Sequence, residues 1–586
     1  MTFDVWDNLD IIGFTLLVFI LTLWFVQSTL ATWRVKAKIK AKQERCESLI
    51  QKLGDSLEDS KRLRYFSSGD RILGMNFKTL QAKLQSGQIK AEQALLAYQT
   101  EALEKNQEMN FIVEPVAEAK DIAKARDKDT SKTRKDKPLH GIPISIKENY
   151  FLKGYDSTGG LSRLIDKPAT KDGVLVKVLK QQGAIPFVKT NIPQSMMTFE
   201  CSNPIYGTTV NPNNPKRSPG GSSGGEGAII ASGASILGWG SDIGGSIRIP
   251  CHFCGVYGLK PTAGRLSLKS SEELCDVHLQ TLIKATSGPL GQDVDTLVEA
   301  MKAVLCPYHF ELDPEVPPLP FDTQIYESTK RLRIGYYVYD GYIPCIPAVE
   351  RGVLQAKDTL TKMGHTLVPF EVPDVEYMFS FLFCKSCFGD GGDLFREMLD
   401  GDIIASSIKQ ILYLYKCPTF IQIAVSYLAN WISKDRVPGE QIRCMQGVSS
   451  VRDWWKLAFD LDKYKKEFIA QWKNKELDVI ICPTMPYVAA PTDTVKYLIC
   501  GVTYTALYNA LNFPAGVVPV TKVTSEDEAN MSSYPSRTGT EKFIKKYFSE
   551  DTVNLPVGIQ CVGLPYQEEL VLRLMKELET GLKEKS

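Results

Sequence analysis

The chain has 586 residues, and its 69 basic and 68 acidic residues leave a net charge of +1, with no basic surface to hold nucleic acid. Fourteen cysteines over this length do not define a disulfide framework and read as buried thiols of a reducing compartment. No repeat with a period of 20–50 residues is visible.

Residues 11–33 carry no charge, and as a helix these 23 residues would span about 34 Å, enough for a hydrocarbon core of about 30 Å. Asp4, Asp7 and Asp10 precede the segment, and Arg34, Lys36, Lys38, Lys40 and Lys42 follow it. The basic side belongs in the cytosol, so residues 1–34 are expected to be a single-pass transmembrane anchor in an intracellular membrane, with the remaining chain cytosolic. A cleaved signal peptide would place its basic residues first and have a shorter apolar core. Residues 35–95 read as a helical lead-in of polar, amphipathic segments. No convincing linker divides residues 96–586, which predicts one large α/β domain, a mixed twisted sheet wrapped by helices. The charged run Glu118–Lys137 reads as a solvated loop or helix surface.

From Ile142 to Lys147 the chain alternates in strand fashion, with Ile142, Ile144 and Ile146 on one face and Pro143, Ser145 and Lys147 on the other. Lys147 therefore leaves an apolar strand toward a polar site, unless it is an ordinary strand-end lysine reaching solvent. Further strands are expected in Ala184–Lys189, Arg333–Val338 and Val479–Cys482.

Two glycine clusters follow, Gly220-Gly221-Ser222-Ser223-Gly224-Gly225 and Gly240-Ser241-Asp242-Ile243-Gly244-Gly245-Ser246. Glycine allows positive φ and close approach, so Ile243, Gly244, Gly245 and Ser246 can aim several N–H groups at one oxygen, as an oxyanion hole requires. Ser246 closes the run and is the candidate nucleophile. A phosphate loop would need Gly-Lys-Ser/Thr, whereas Glu226 follows the first cluster and its carboxylate repels phosphate. Residues 221–225 also fit Gly-x-Ser-x-Gly, which would make Ser223 the nucleophile of an elbow. That motif needs a strand directly before it, and Asn211–Pro219 is turn-rich. Only five histidines exist, none in an obvious triad context. A lysine base must be neutral, and at pH 7 only about one ordinary lysine in 2,500 is. Burial can supply the shift.

Cys251 and Cys254 have CxxC spacing but no accompanying ligand pair, so no metal is expected, and no cofactor. Between residues 402 and 434 two apolar sets at helical spacing, around Ile404–Tyr415 and Phe420–Trp431, are divided by Pro418. Neither spans a bilayer. They read as a buried helical hairpin or as one that dips into a membrane interface, where Lys409, Lys416, Lys434 and Arg436 would suit anionic headgroups.

His140–Asn149, Ser218–Gly233, Gly240–Arg248 and Gly255–Gly264 together resemble the amidase signature family, and the likeness continues through Asp478–Thr484, Tyr504–Val520 and Leu555–Glu579, covering roughly residues 90–586. The resemblance implies the amidase-signature fold and a Ser–Ser–Lys triad of Ser246 as nucleophile, Ser222 as proton bridge and Lys147 as base. It also implies that Met196 contacts substrate, near Met197 and Phe199, whose alternative role is core packing. With its N-terminal anchor and the Pro317–Pro320 stretch, the chain is most similar to the animal, membrane-bound branch of the family. That likeness implies long-chain fatty-acid amide substrates (N-acylethanolamines and primary fatty amides), a lipid bilayer contacted by a hydrophobic cap at about 402–434, and a homodimer. Two rival readings are an amidase for small or peptide-like amides, including an amidotransferase subunit, which the anchor disfavours, and a catalytically silent membrane scaffold, which three filled triad positions disfavour.

Overall fold

The computed structural model describes residues 4–62, 72–269, 281–433 and 437–584, without the side chains of residues 4–26, 28, 58–62, 433, 437, 438 and 441. Its strands are β1 (Ile112–Pro115), β2 (Pro143–Lys147), β3 (Ile185–Thr190), β4 (Ser202–Asn203), β5 (Gly207–Thr208), β6 (Leu237–Asp242), β7 (Tyr257–Lys260), β8 (Thr286–Gly291), β9 (Arg333–Tyr336), β10 (Thr366–Pro369), β11 (Val479–Pro483), β12 (Ala515–Lys522) and β13 (Pro556–Val562). Among the described residues eleven of them form one sheet in the order β1-β3-β2-β6-β8-β7-β12-β13-β11-β9-β10, while β4 and β5 make a separate hairpin. The pairs β2–β3, β2–β6, β11–β9 and β10–β9 are parallel and the rest antiparallel. This is the mixed sheet the sequence predicts, and the three runs at 184–189, 333–338 and 479–482 appear in it as β3, β9 and β11.

The central strands are buried on both faces. β2, β3 and β11 have no exposed residue, as strands covered by helices on both sides require. The covering helices follow the 3.6-residue period. Pro347–Lys362 starts with proline in its first turn and buries Val349, Val353, Ala356 and Leu360 against β13, and Glu568–Lys583 buries Val571, Leu572, Met575 and Leu578 against β12.

One helix, Asp4–Arg62, runs without a break past residue 34. Where its side chains are described it packs onto the domain through Ile39 and Cys46, and Lys42 is plugged between Glu114 (3.0 Å) and Asp156 (2.9 Å). Among the described residues no helix is long and apolar enough to cross a membrane. Most of the expected span at 11–33 lies outside the described side chains.

The run Glu118–Lys137 forms two short helices, Ala119–Asp127 and Ser131–Asp136. The pair expected near 402–434 is Ser406–Tyr415 and Thr419–Ser433, with Pro418 between them. The two behave differently. Ile408, Leu412 and Tyr415 of the first are buried with Leu161, Phe395, Met398 and Leu399, and Met196 and Met197 pack against that cluster. Each such aliphatic side chain removed from water contributes about 1.5–3 kcal/mol. In the second helix Phe420 (71% exposed), Tyr427, Leu428 and Trp431 (78% exposed) face outward. Lys434 and Arg436 lie outside the described residues.

Candidate active site

β2 lies between β3 and β6 and delivers Lys147 at its end, fully buried. The Lys147 Nζ lies 2.7 Å from Ser222 Oγ, 2.9 Å from Ser241 Oγ and 3.3 Å from the Ser241 carbonyl oxygen. Burial pushes the Lys147 ammonium down to about 7, with Asp242 only partly opposing the shift. The lysine is a strand-end residue, but it does not reach solvent.

Ser222 follows a cis Gly221–Ser222 peptide in the loop before helix Gly224–Ala231. No strand immediately precedes this loop, so Ser223 does not sit on a nucleophile elbow. Its N–H donates to the Ser246 carbonyl oxygen (3.1 Å) and its Oγ to the Ser241 carbonyl oxygen (3.3 Å), so Ser223 fastens the two glycine clusters together.

The second cluster turns sharply off β6. Gly245 has φ of +135°, and a Cβ there would strike Thr505 and Ile249, which is why glycine is required. Asp242 holds the turn from below, accepting the N–H groups of Gly245 (2.8 Å) and Ile247 (3.0 Å). Burial opposes ionisation of Asp242, but the Arg248 guanidinium reverses this and holds the carboxyl well below its ordinary range. Arg248 donates to both Asp242 oxygens (3.0 and 2.9 Å), to the Thr505 carbonyl oxygen (2.9 Å) and to Gln560 Oε1 (2.9 Å), and it also reaches Asn509. The cluster is thus built on a buried ion pair whose remaining donors are also satisfied, the condition under which such a pair is tolerated.

Ser222, Ser241, Ile243, Ser246, Met196 and Met197 line one cavity of about 600 Å³, which Lys269, Lys284 and Asp313 also line. Met196 ends the short 3-10 turn Gln194–Met196, where both it and Ser195 adopt left-handed backbone (φ +58° and +59°). Phe199 is buried against Phe253 and is not among the cavity-lining residues. His140, His252, His309 and His365 do not line the cavity, and His278 lies outside the described residues. Cys251 and Cys254 are buried in helix Arg248–Cys254, where the Cys254 thiol donates to the Pro219 carbonyl oxygen (3.3 Å).

Of the residues proposed from sequence, Lys147 is hydrogen-bonded to Ser222, and Ser222, Ser246, Ile243 and Met196 line the same cavity, with Gly244 in the turn between Ile243 and Gly245. The Gly245 amide is already engaged by Asp242. Sequence reasoning missed Ser241, which holds Lys147 with two of its atoms. Its signal was a hydroxyl in the last turn-facing positions of β6, beside the strand that carries the lysine.

A family model described as Amidase matches residues 93–572. Fatty-acid amide hydrolase 1 of Sus scrofa is 40% identical over 521 residues, covering 87% of this chain and 86% of the relative, and fatty acid amide hydrolase 1 of Caenorhabditis elegans is 37% identical over 541 residues, covering 91% of each. A solved fatty acid amide hydrolase superposes with a TM-score of 0.77 at 25% identity, over 93% of this chain and 95% of the other. The chain belongs to the amidase family and is a hydrolase of amide bonds.

Proposed function

We propose that the chain is a membrane-bound serine hydrolase that cleaves long-chain fatty-acid amides, N-acylethanolamines and primary amides, to the free acid and an amine or ammonia. The observation that carries the reading is the buried Lys147 amine 2.7 Å from Ser222 at the wall of the cavity that Ser246 lines. In this reading neutral Lys147 takes the Ser222 proton while Ser222 takes that of Ser246, and Ser246 attacks the amide carbonyl to form an acyl-enzyme. The oxyanion falls to the amides of the Ile243-Gly244-Gly245-Ser246 turn. Because Gly245 already donates to Asp242, the amides of Ile243, Gly244 and Ser246 bear most of that charge. The proton returns through Ser222 to the leaving nitrogen, and water then releases the acid.

The fatty-acid preference is supported by the relatives named above, by Met196 and Met197 at the cavity, and by the outward apolar face of Thr419–Ser433. With residues 11–33 as a single-pass anchor and that face as a second contact, the catalytic domain would sit on the cytosolic side of an intracellular membrane, as a homodimer.

Labelling of the membrane protein with a serine-reactive fluorophosphonate, alongside hydrolysis of oleamide and of a short amide, tests this reading. Loss of labelling in Ser246→Ala and a preference for oleamide are expected. Full labelling of Ser246→Ala would refute the nucleophile, and equal turnover of both amides would refute the lipid substrate.

A further inference from the structure

Behind Lys147 lies a carboxyl group that forms no ion pair among the described residues. Glu226 is fully buried in the first turn of helix Gly224–Ala231. One carboxyl oxygen is 2.6 Å from Thr190 Oγ1 and the other 2.6 Å from Ser145 Oγ. Thr190 is the register partner of Lys147 on β3, and Ser145 precedes Lys147 by two residues on the same face of β2. Room for the carboxyl comes from Gly238, opposite Ser145 on β6, where a Cβ would collide with Glu226.

The hydrogen bonds around this group need one proton more than the hydroxyls possess. Ser235 Oγ donates to the Leu237 carbonyl oxygen (3.0 Å), which can only accept. Ser145, 3.0 Å from Ser235 Oγ, must therefore give its own proton to Ser235. The 2.6 Å contact between Ser145 and Glu226 then requires the proton to come from the acid. Burial acts in the same direction, raising the Glu226 carboxyl above the ordinary carboxylate range. The other acidic groups facing Lys147 are Asp242, Glu148 and the Cys201 thiol. Asp242 is bound by Arg248, Glu148 accepts from Thr158 and from the Gly159 N–H, and burial pushes the Cys201 thiol up to about 12.

We infer that Glu226 keeps its proton in the working enzyme and is a positioning residue for Lys147. As a neutral acid it ties Ser145 and Thr190 beside the lysine without adding a negative charge that would hold the amine as ammonium. The inference rests on the reading of Lys147 as the base.

The acid limb of kcat/KM against pH, measured on a non-ionising amide, reads the protonation of that base. Glu226→Ala opens space for water beside Lys147 and is expected to move the limb up by about one pH unit, a roughly tenfold loss on its acid side. Glu226→Gln, neutral and of the same shape, is expected to return the limb to its wild-type place. A limb that moves down in Glu226→Gln would mean that a negative charge had been removed, overturning the protonated acid. A limb unmoved in Glu226→Ala would reduce Glu226 to scaffold and overturn the positioning role. Infrared difference spectra of wild type against Glu226→Gln, taken at the pH of highest kcat/KM, separate this inference from the reading it rests on. An un-ionised carboxylic acid band is expected in the wild type, and its absence overturns the inference. If Lys147→Ala keeps the limb, the base assignment falls while the band still decides the state of Glu226.

Discussion

Lys42 and Lys147 are both buried lysines, with side chains 4% and 0% exposed, yet the protein treats them oppositely. Burial opposes the charge on Lys42, but Glu114 and Asp156 at 3.0 and 2.9 Å outweigh it and raise its pKa. At Lys147 burial prevails and the amine falls to about 7, because Asp242 is committed to Arg248 and hydroxyls take the places that carboxylates hold around Lys42. Burial alone does not make a base. What decides is whether a free carboxylate is left within reach.

The largest expected effect breaks the comparison at its catalytic end. Lys147→Ala and Ser246→Ala should each lower kcat for amide hydrolysis by at least about 10³-fold, measured at saturating substrate, with the fold retained by circular dichroism. Lys42→Met is expected to do the reverse, leaving kcat within about twofold. It strands Glu114 and Asp156 in the interior, which costs about 3–5 kcal/mol in denaturant unfolding.

The pH dependence of stability sharpens the contrast. Between about pH 7 and pH 10.4 the unfolded chain holds a proton at Lys147 that the folded chain lacks, so this residue makes stability rise with pH across that window. Its penalty, at most about 4–5 kcal/mol for a shift of this size and less by the hydrogen bonds the variant gives up, is complete below the window, and Lys147→Met should therefore be more stable than wild type below neutral pH. Lys42, raised on folding, contributes stability that is fully present below its unfolded value and is lost as pH climbs through its folded one. Unfolding of both variants across the neutral-to-alkaline range checks the two opposite slopes.

The smallest effect concerns the outward face of Thr419–Ser433. Phe420→Ser with Trp431→Ser should weaken vesicle binding several-fold in sedimentation assays and raise KM for oleamide, while kcat on a short soluble amide stays unchanged.

Much of this was legible in the sequence where the signal is local. The alternation of Ile142–Lys147 gave a strand ending in the lysine, the glycine runs marked the two turns, and Pro418 divided the helices Ser406–Tyr415 and Thr419–Ser433. What escaped was set by register between distant segments. Ser241 and Glu226 reach the lysine's surroundings only because β6 and helix Gly224–Ala231 pack beside β2, and Arg248 finds Thr505, Asn509 and Gln560 more than 250 positions away. Lys42 was one basic residue among five after the apolar segment, and nothing in that run distinguishes the one that is buried.

The central claim is that Lys147 works as a neutral amine. The direct measurement is kcat/KM on a non-ionising amide from acid to mildly alkaline pH, for wild type and for the residual activity of Lys147→Ala. The account predicts a single acid limb with its midpoint near the value of about 7 held by Lys147, absent from the variant. A wild-type profile flat to well below neutral, or a limb that survives in Lys147→Ala, would contradict it.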